Sequence, residues 1–213
     1  MLYETTMESP VGALTLIASD VGLRAVLWQI EKANRVRIGT VEGGEVDPAG
    51  VLAKAVQQLD EYFDGTRTFF DLDLDAVGSD FQKSAWTALR SIGFGETVSY
   101  GEQARRMGDA RKARAVGAAN GRNPISIIVP CHRVVGADGS LTGFAAGVET
   151  KAWLLDHERS VSTSGRDSGA RPTAHTTSTD DSGAVAGAGH LFAAKFRIGL
   201  LERFALLANG FQA

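Results

Sequence analysis

The 213-residue chain carries 22 Lys and Arg against 25 Asp and Glu, a net charge of -3, with 44% hydrophobic residues and one cysteine. That apolar content is enough for a buried core, and a lone cysteine excludes both an internal disulfide and a four-cysteine zinc site. No run approaches the roughly 20 apolar residues of a bilayer span, and Met1-Leu2-Tyr3-Glu4 lacks the basic and apolar stretches of a secretory signal, so a cytoplasmic protein without membrane contact is expected.

From Leu2 to Trp28, short apolar runs such as Ala13–Ala18 and Leu23–Trp28 are separated by Ser9-Pro10-Val11-Gly12 and Ser19-Asp20-Val21-Gly22, which reads as a small antiparallel sheet. Residues 48 to 64 place Val51, Leu52, Val56, Leu59 and Phe63 at helical spacing. Gly65 stops that pattern before a strand-like Phe69–Leu74. An α+β N-terminal domain over residues 1–78 is expected.

A second, mostly helical domain is expected over residues 79–159. Ser79-Asp80-Phe81-Gln82 caps a predicted helix carrying Phe81, Ala85, Trp86 and Leu89, and Gly93-Phe94-Gly95 ends it. Two shorter helices, about 99–107 and 110–120, flank Met107-Gly108-Asp109 at helix-turn-helix spacing. The apolar run Ile125–Val129 is predicted as a buried strand ending at Pro130-Cys131. A glycine-rich loop from Gly136 to Gly147 then precedes a helix from about Val148 to His157, where the ordered domain should end.

Residues 160–189 are dominated by Ser, Thr, Gly, Ala and Asp, too few apolar side chains to offset the entropy of ordering, and are expected to be a flexible linker. In residues 190–213, Phe192, Phe196, Leu200, Phe204 and Leu207 recur close to every fourth position, the pattern of an amphipathic helix that packs on the body or docks a partner.

Charge is unevenly distributed. Between Tyr100 and Val134 stand Arg105, Arg106, Arg111, Lys112, Arg114, Arg122 and Arg133, against Glu102 and Asp109 alone. Such a concentration is either a solvated face or a set of phosphate contacts. Cys131 is the chemically reactive candidate. A free cysteine is often an inert buried hydrophobe, but Pro130 fixes the backbone before the sulfur, and His132 is an adjacent base able to assist formation of the thiolate. On an extended chain the two side chains point to opposite faces, so His132 reaches the thiol only through a bend or an intervening water. Glu158 is the candidate to orient the imidazole.

Pro130-Cys131-His132-Arg133-Val134, preceded by Gly121–Val129 and Ala113-Arg114-Ala115-Val116-Gly117 and followed by Leu141-Thr142-Gly143-Phe144 and Lys151–Leu155, resembles the O6-alkylguanine-DNA alkyltransferases. The likeness runs from about Ser79 to Glu158 and is weaker over residues 1–78. It implies a ribonuclease H-like N-terminal domain, a winged-helix-like helix-turn-helix domain, and single-turnover transfer of an alkyl group from guanine O6 to Cys131, with no metal or organic cofactor. Thymine O4 adducts are a further candidate substrate.

The resemblance further implies that His132 acts through a water, that Glu158 holds His132, and that Asn123 buttresses the turn. Tyr100, the carbonyls of Cys131 and Val134, the Phe144–Ala145 loop and the Ala145 amide would meet the base. Extrusion of that base requires something to fill the stack, a role that falls to Arg114. The small residues around it, Ala113, Ala115 and Gly117, suit a minor groove about 6 Å wide. Arg105, Arg106, Arg111, Lys112, Arg122 and Arg133 become DNA contacts, and the partner is duplex DNA holding O6-alkylguanine, bound by a monomer.

Four positions depart from the usual pattern: Gly93 for proline, Phe144 for tyrosine, Ala146 for glycine and Val148 for leucine. The Ala146 methyl implies a tighter pocket for large adducts such as benzyl. The competing readings are a non-catalytic alkylated-base sensor, against which Cys131, His132 and Glu158 argue, a helix-turn-helix regulator, and a cysteine hydrolase, in which the basic helices have no purpose.

Overall fold

The structure, a computed structural model, describes residues 1–30, 35–42, 47 and 49–167. The predicted amphipathic helix at 190–213 and most of the predicted linker lie outside these residues. Met1–Ala170 forms one compact unit, and among the described residues no helix is long and apolar enough to cross a membrane.

Three antiparallel strands, β1 (Leu2–Met7), β2 (Leu14–Ser19) and β3 (Leu23–Trp28), open the chain in sheet order β1-β2-β3. Leu14, Leu16, Leu23 and Val26 point into the core from this sheet and are fully buried. The outer edge of β3 is covered by two short pieces of chain rather than by a full strand. Leu23 N–H donates to the Asp73 carbonyl at 2.8 Å, and Val26 N–H donates to the Pro124 carbonyl at 2.9 Å. The predicted strand Phe69–Leu74 thus reduces to a single bridge at Leu74, because Leu72 alone of its side chains is deeply buried.

Helix α1 (Val51–Phe63) packs on the sheet, its first amides held by the Asp47 carboxylate at 2.8 and 2.7 Å. Its inward face is Leu52, Ala55, Gln58, Leu59 and Tyr62, whereas Val51, Val56 and Phe63 are only partly buried. The buried stripe is therefore rotated from the one predicted, and it turns Tyr62 toward the second half of the chain.

Helix α2 (Asp80–Leu89) starts in a capping box: Ser79 Oγ accepts from Gln82 N–H, and the Gln82 side chain accepts from Ser79 N–H. Ser79→Ala is expected to cost about 1 kcal/mol, measured by urea unfolding; a loss below about 0.3 kcal/mol would show the box to be energetically idle. After strand β4 (Val98–Ser99), helix α3 (Tyr100–Arg106) leads through Gly108, whose φ of +97° suits glycine, into a 3-10 turn (Ala110–Lys112) and helix α4 (Ala113–Asn120). Buried polar bonds fix these helices together. Gln103 and Asn120 exchange side-chain hydrogen bonds at 3.2 and 2.7 Å, and Trp86 Nε1 donates to the Ala119 carbonyl at 2.9 Å.

The predicted strand Ile125–Val129 is a turn. Val129 N–H donates back to the Ile125 carbonyl at 2.9 Å, and Ile127 adopts φ +71°, the one non-glycine with positive φ among the described residues. This conformation costs a β-branched residue on the order of 1–2 kcal/mol and is held by full burial of Ile127. Strand β5 (Val134–Val135) pairs in parallel with β4, which sets the start of α3 beside the cysteine segment. Helix α5 runs Gly147–Asp167, so the predicted end near residue 157 and the predicted linker start at 160 are both corrected. The extension is held by contact against weak helix propensity: Val161 lies against Gly65 and Ser162 against Gly95.

Candidate active site

Cys131 opens a 3-10 turn, Cys131–Arg133, instead of closing a strand. This bend, not an extended chain, sets the relation of Cys131 to His132. Asn123 braces it from behind: its Nδ2 donates to the Val129 carbonyl at 2.7 Å and to Cys131 Sγ at 3.3 Å, while its Oδ1 accepts from Ile125 N–H at 3.1 Å. One side chain thereby closes both ends of the turn. Arg35, from the N-terminal half, donates to the Asn123 carbonyl at 2.6 Å. Burial pushes the Cys131 thiol above its ordinary value, and the Asn123 bond works in the opposite direction. The resting group is a thiol that needs a base.

His132 is fully buried, and its Nε2 lies 2.7 Å from Glu158 Oε1. Burial opposes the charge of Glu158, but the hydrogen bonds from His132 and Arg133 outweigh it and hold the carboxyl at about 2. An ionised carboxylate only accepts, so Nε2 carries the hydrogen and Nδ1 keeps the lone pair. Burial lowers the His132 pKa, with Glu158 acting against it, so the ring is neutral and Nδ1 is the basic atom. Nδ1 is buried and bonds to no protein group among the described residues.

Glu158 binds more groups than the imidazole. Arg133 Nε and Nη2 donate to it at 2.9 and 3.0 Å, Gly95 N–H at 3.0 Å, and the Tyr62 hydroxyl at 2.9 Å. Arg133 is 6% exposed, with its Nη1 on the Ile92 carbonyl at 2.7 Å and its guanidinium over Phe94. Its assignment as a DNA contact is corrected: the guanidinium is buried and turned inward onto a buried carboxylate and a carbonyl, where a phosphate does not reach it.

The loop beyond β5 is tied down by Lys151, whose Nζ donates to the carbonyls of Val134 at 2.6 Å and Thr142 at 2.9 Å. The Tyr100 hydroxyl donates to the same Thr142 carbonyl at 3.1 Å. Phe144 is buried edge-on against Trp28 at 5.5 Å, and Ala145 and Ala146 are partly buried beside it.

Apart from Arg133, the cations of the basic stretch lie at the surface. Arg105, Arg106, Arg111, Lys112, Arg114, Ala115 and Arg122 are exposed, with Ala113 and Gly117 intermediate. Arg105 and Arg106 pair with Glu102, and Arg111 pairs with Asp109, contacts that solvent renders weak. A cavity of about 260 Å³ opens between Tyr100, Ala113, Arg114 and Gly117. A larger one, about 580 Å³, lies between β1 and α1 and contains none of these residues.

Sequence reasoning missed Tyr62, Lys151, Arg35 and the Gly95 amide. Tyr62 and Lys151 look like ordinary helix positions, and no local pattern marks a residue whose partner is 96 positions away.

The fold and site define a protein with a buried acceptor thiol, a histidine-carboxylate relay and a basic helix-turn-helix. Residues 2–76 match the family model for the 6-O-methylguanine DNA methyltransferase ribonuclease-like domain, and residues 80–160 match that for its DNA binding domain. The methylated-DNA--protein-cysteine methyltransferase of Mycolicibacterium paratuberculosis is 46% identical over 159 residues, covering 75% of this chain and 93% of that one. The crystal structure of Mycobacterium tuberculosis O6-methylguanine methyltransferase is similar at 47% identity and TM-score 0.65, and that of M. tuberculosis OGT in complex with DNA at 45% and 0.66. Each covers 75% of this chain and 94% of its own. The chain belongs to the 6-O-methylguanine DNA methyltransferase family.

Proposed function

We propose that the protein repairs DNA by moving an alkyl group from O6 of guanine to Cys131, once per molecule. The observation that carries this reading is a buried thiol on the same tight turn as a buried His132 whose Nε2 is fixed on Glu158 and whose Nδ1 bonds to no protein group among the described residues. His132 Nδ1 takes the thiol proton through a water, and the sulfur attacks the alkyl carbon. The C–O6 bond breaks with its electron pair on the guanine, and a thioether forms on Cys131. Glu158 compensates the charge of the resulting imidazolium.

The substrate is duplex DNA with O6-alkylguanine, bound through the minor groove by a monomer. Helix α4 enters with its small side chains, Arg114 fills the stack left by the extruded base, and Arg105, Arg106, Arg111, Lys112 and Arg122 contact phosphates. Tyr100, the Cys131 and Val134 carbonyls, Phe144 and the Ala145 amide surround the base. For Tyr100 and Val134 this requires exchange: their present partners, the Thr142 carbonyl and Lys151 Nζ, have to release or share them.

The test is intact-mass measurement after mixing with a duplex containing O6-methylguanine. A single methyl addition localised to Cys131 is expected, and no mass change sinks the reading. Arg114→Ala is expected to slow transfer from duplex DNA by about 10- to 100-fold, the range set by losing a few kcal/mol of stacking compensation. Transfer from the free O6-alkylated base should change far less; equal losses on both would remove Arg114 from the extrusion step.

A further inference from the structure

The relay contains a group from outside the helix-turn-helix half. Tyr62 is fully buried, its ring packs against Phe63, Phe70, Phe94 and His157, and its hydroxyl lies 2.9 Å from Glu158 Oε1. The same oxygen takes His132 Nε2 at 2.7 Å and Arg133 Nη2 at 3.0 Å, so the phenol and the imidazole compete for one acceptor. Burial and the Glu158 charge keep the phenol protonated, and it can only donate here. The helix carrying it is anchored to α5 a second time by His157 Nε2 on the Tyr62 carbonyl, at 2.8 Å.

We propose that Tyr62 is a positioning residue for the transfer reaction: its hydroxyl holds Glu158 in the rotamer that meets His132 and takes up part of the carboxylate's charge, so that the N-terminal domain sets the basicity of His132. The proposal rests on the transfer reading above.

The charged and titratable groups facing this cluster are Tyr62 on α1, Cys131 and Arg133 on the 3-10 turn, and Lys151 and His157 on α5. Among the described donors to Oε1, Tyr62 is the one that is neither a charged group nor the base itself, so it can be removed without deleting either. Its loss leaves more of the carboxylate's charge to His132, which favours imidazolium. His132 then becomes protonated, and unable to act as base, at a higher pH.

The experiment is the pH dependence of single-turnover methyl transfer from an O6-methylguanine duplex. Tyr62→Phe, which keeps the ring, is expected to move the acid-side midpoint upward by about 0.5–1 unit. Replacing Tyr62 by 3-fluorotyrosine, a stronger donor, is expected to move it downward and serves as the test even where the phenylalanine variant does not fold. A midpoint unmoved by the substitutions that fold, including one accompanied only by lower thermal stability, overturns the assignment. A wild-type protein that leaves the lesion unrepaired defeats the transfer reading instead, so the two failures are told apart.

Discussion

Cys131→Ser is expected to abolish alkyl acceptance while leaving the fold and lesion binding intact. The hydroxyl oxygen can accept the Asn123 Nδ2 hydrogen bond that Sγ now accepts at 3.3 Å, and the volume change is small, so stability should stay within about 1 kcal/mol of wild type. The chemistry does not survive. A neutral buried imidazole can take a proton from a thiol of ordinary pKa about 8.5, even one raised by burial, but not from an aliphatic hydroxyl. Attack on a saturated alkyl carbon also offers no carbonyl oxygen whose developing charge the protein could stabilise to help a weaker nucleophile. Intact mass should show no adduct on the variant, and the lesion should persist in the duplex that the variant still binds. A stoichiometric adduct on Cys131→Ser would move the acceptor to another group.

How much of this was readable in advance divides along the range of the interactions. The β1–β3 hairpins, the Ser79 cap and the α3–α4 spacing follow from contacts between neighbours in sequence, and their signals are local: alternation, a Ser-x-x-Gln box, a glycine at φ +97°. Ile125–Val129 misled because an apolar run of five reads as a buried strand, whereas the backbone is turned by Asn123, two residues upstream, bonding both Ile125 N–H and the Val129 carbonyl. Helix α5 outran its expected end because Val161 and Ser162 find Gly65 and Gly95, contacts that composition cannot register.

The site shows the same division. Cys131, His132 and Asn123 lie within nine positions of one another and carry a motif. Glu158, reached from sequence as a helix-end carboxylate, needed the family pattern to gain its role. Arg133 was misread because in sequence it is one more cation in a basic stretch. Only the fold shows its guanidinium turned inward onto Glu158 and the Ile92 carbonyl, away from any phosphate. Tyr62 was invisible because it occupies a core position on an amphipathic helix, where an aromatic is expected for packing alone.

Glu158→Gln is expected to damage stability and chemistry together. The carboxylate is fully buried and is the counter-charge of an Arg133 that is almost fully buried. Removing one member of such a pair strands the other, at a cost of about 3–5 kcal/mol. The titration argument agrees in size: a carboxyl held at about 2 from an ordinary 4.5 corresponds to about 3 kcal/mol of native-state stabilisation at neutral pH. Because the folded pKa lies below the unfolded one, this contribution is complete above about 4.5 and drains away as the pH falls toward 2. His132, kept neutral by burial, adds an earlier loss that begins below its ordinary 6.5, where the unfolded chain takes up a proton the fold resists. Wild-type urea midpoints should therefore fall in two stages on acidification, and the second should be smaller in the glutamine variant, where other carboxyls held low by their partners, such as Glu61, Glu102 and Asp109, still contribute. In transfer assays the variant loses the group that fixes the Nε2–H tautomer and stabilises the imidazolium, so the rate should drop by about 100-fold or more at neutral pH. A variant that unfolds within about 1 kcal/mol of wild type, or reacts at the wild-type rate, would mean that Arg133 and His132 find other partners and that the carboxylate is not the centre of the relay.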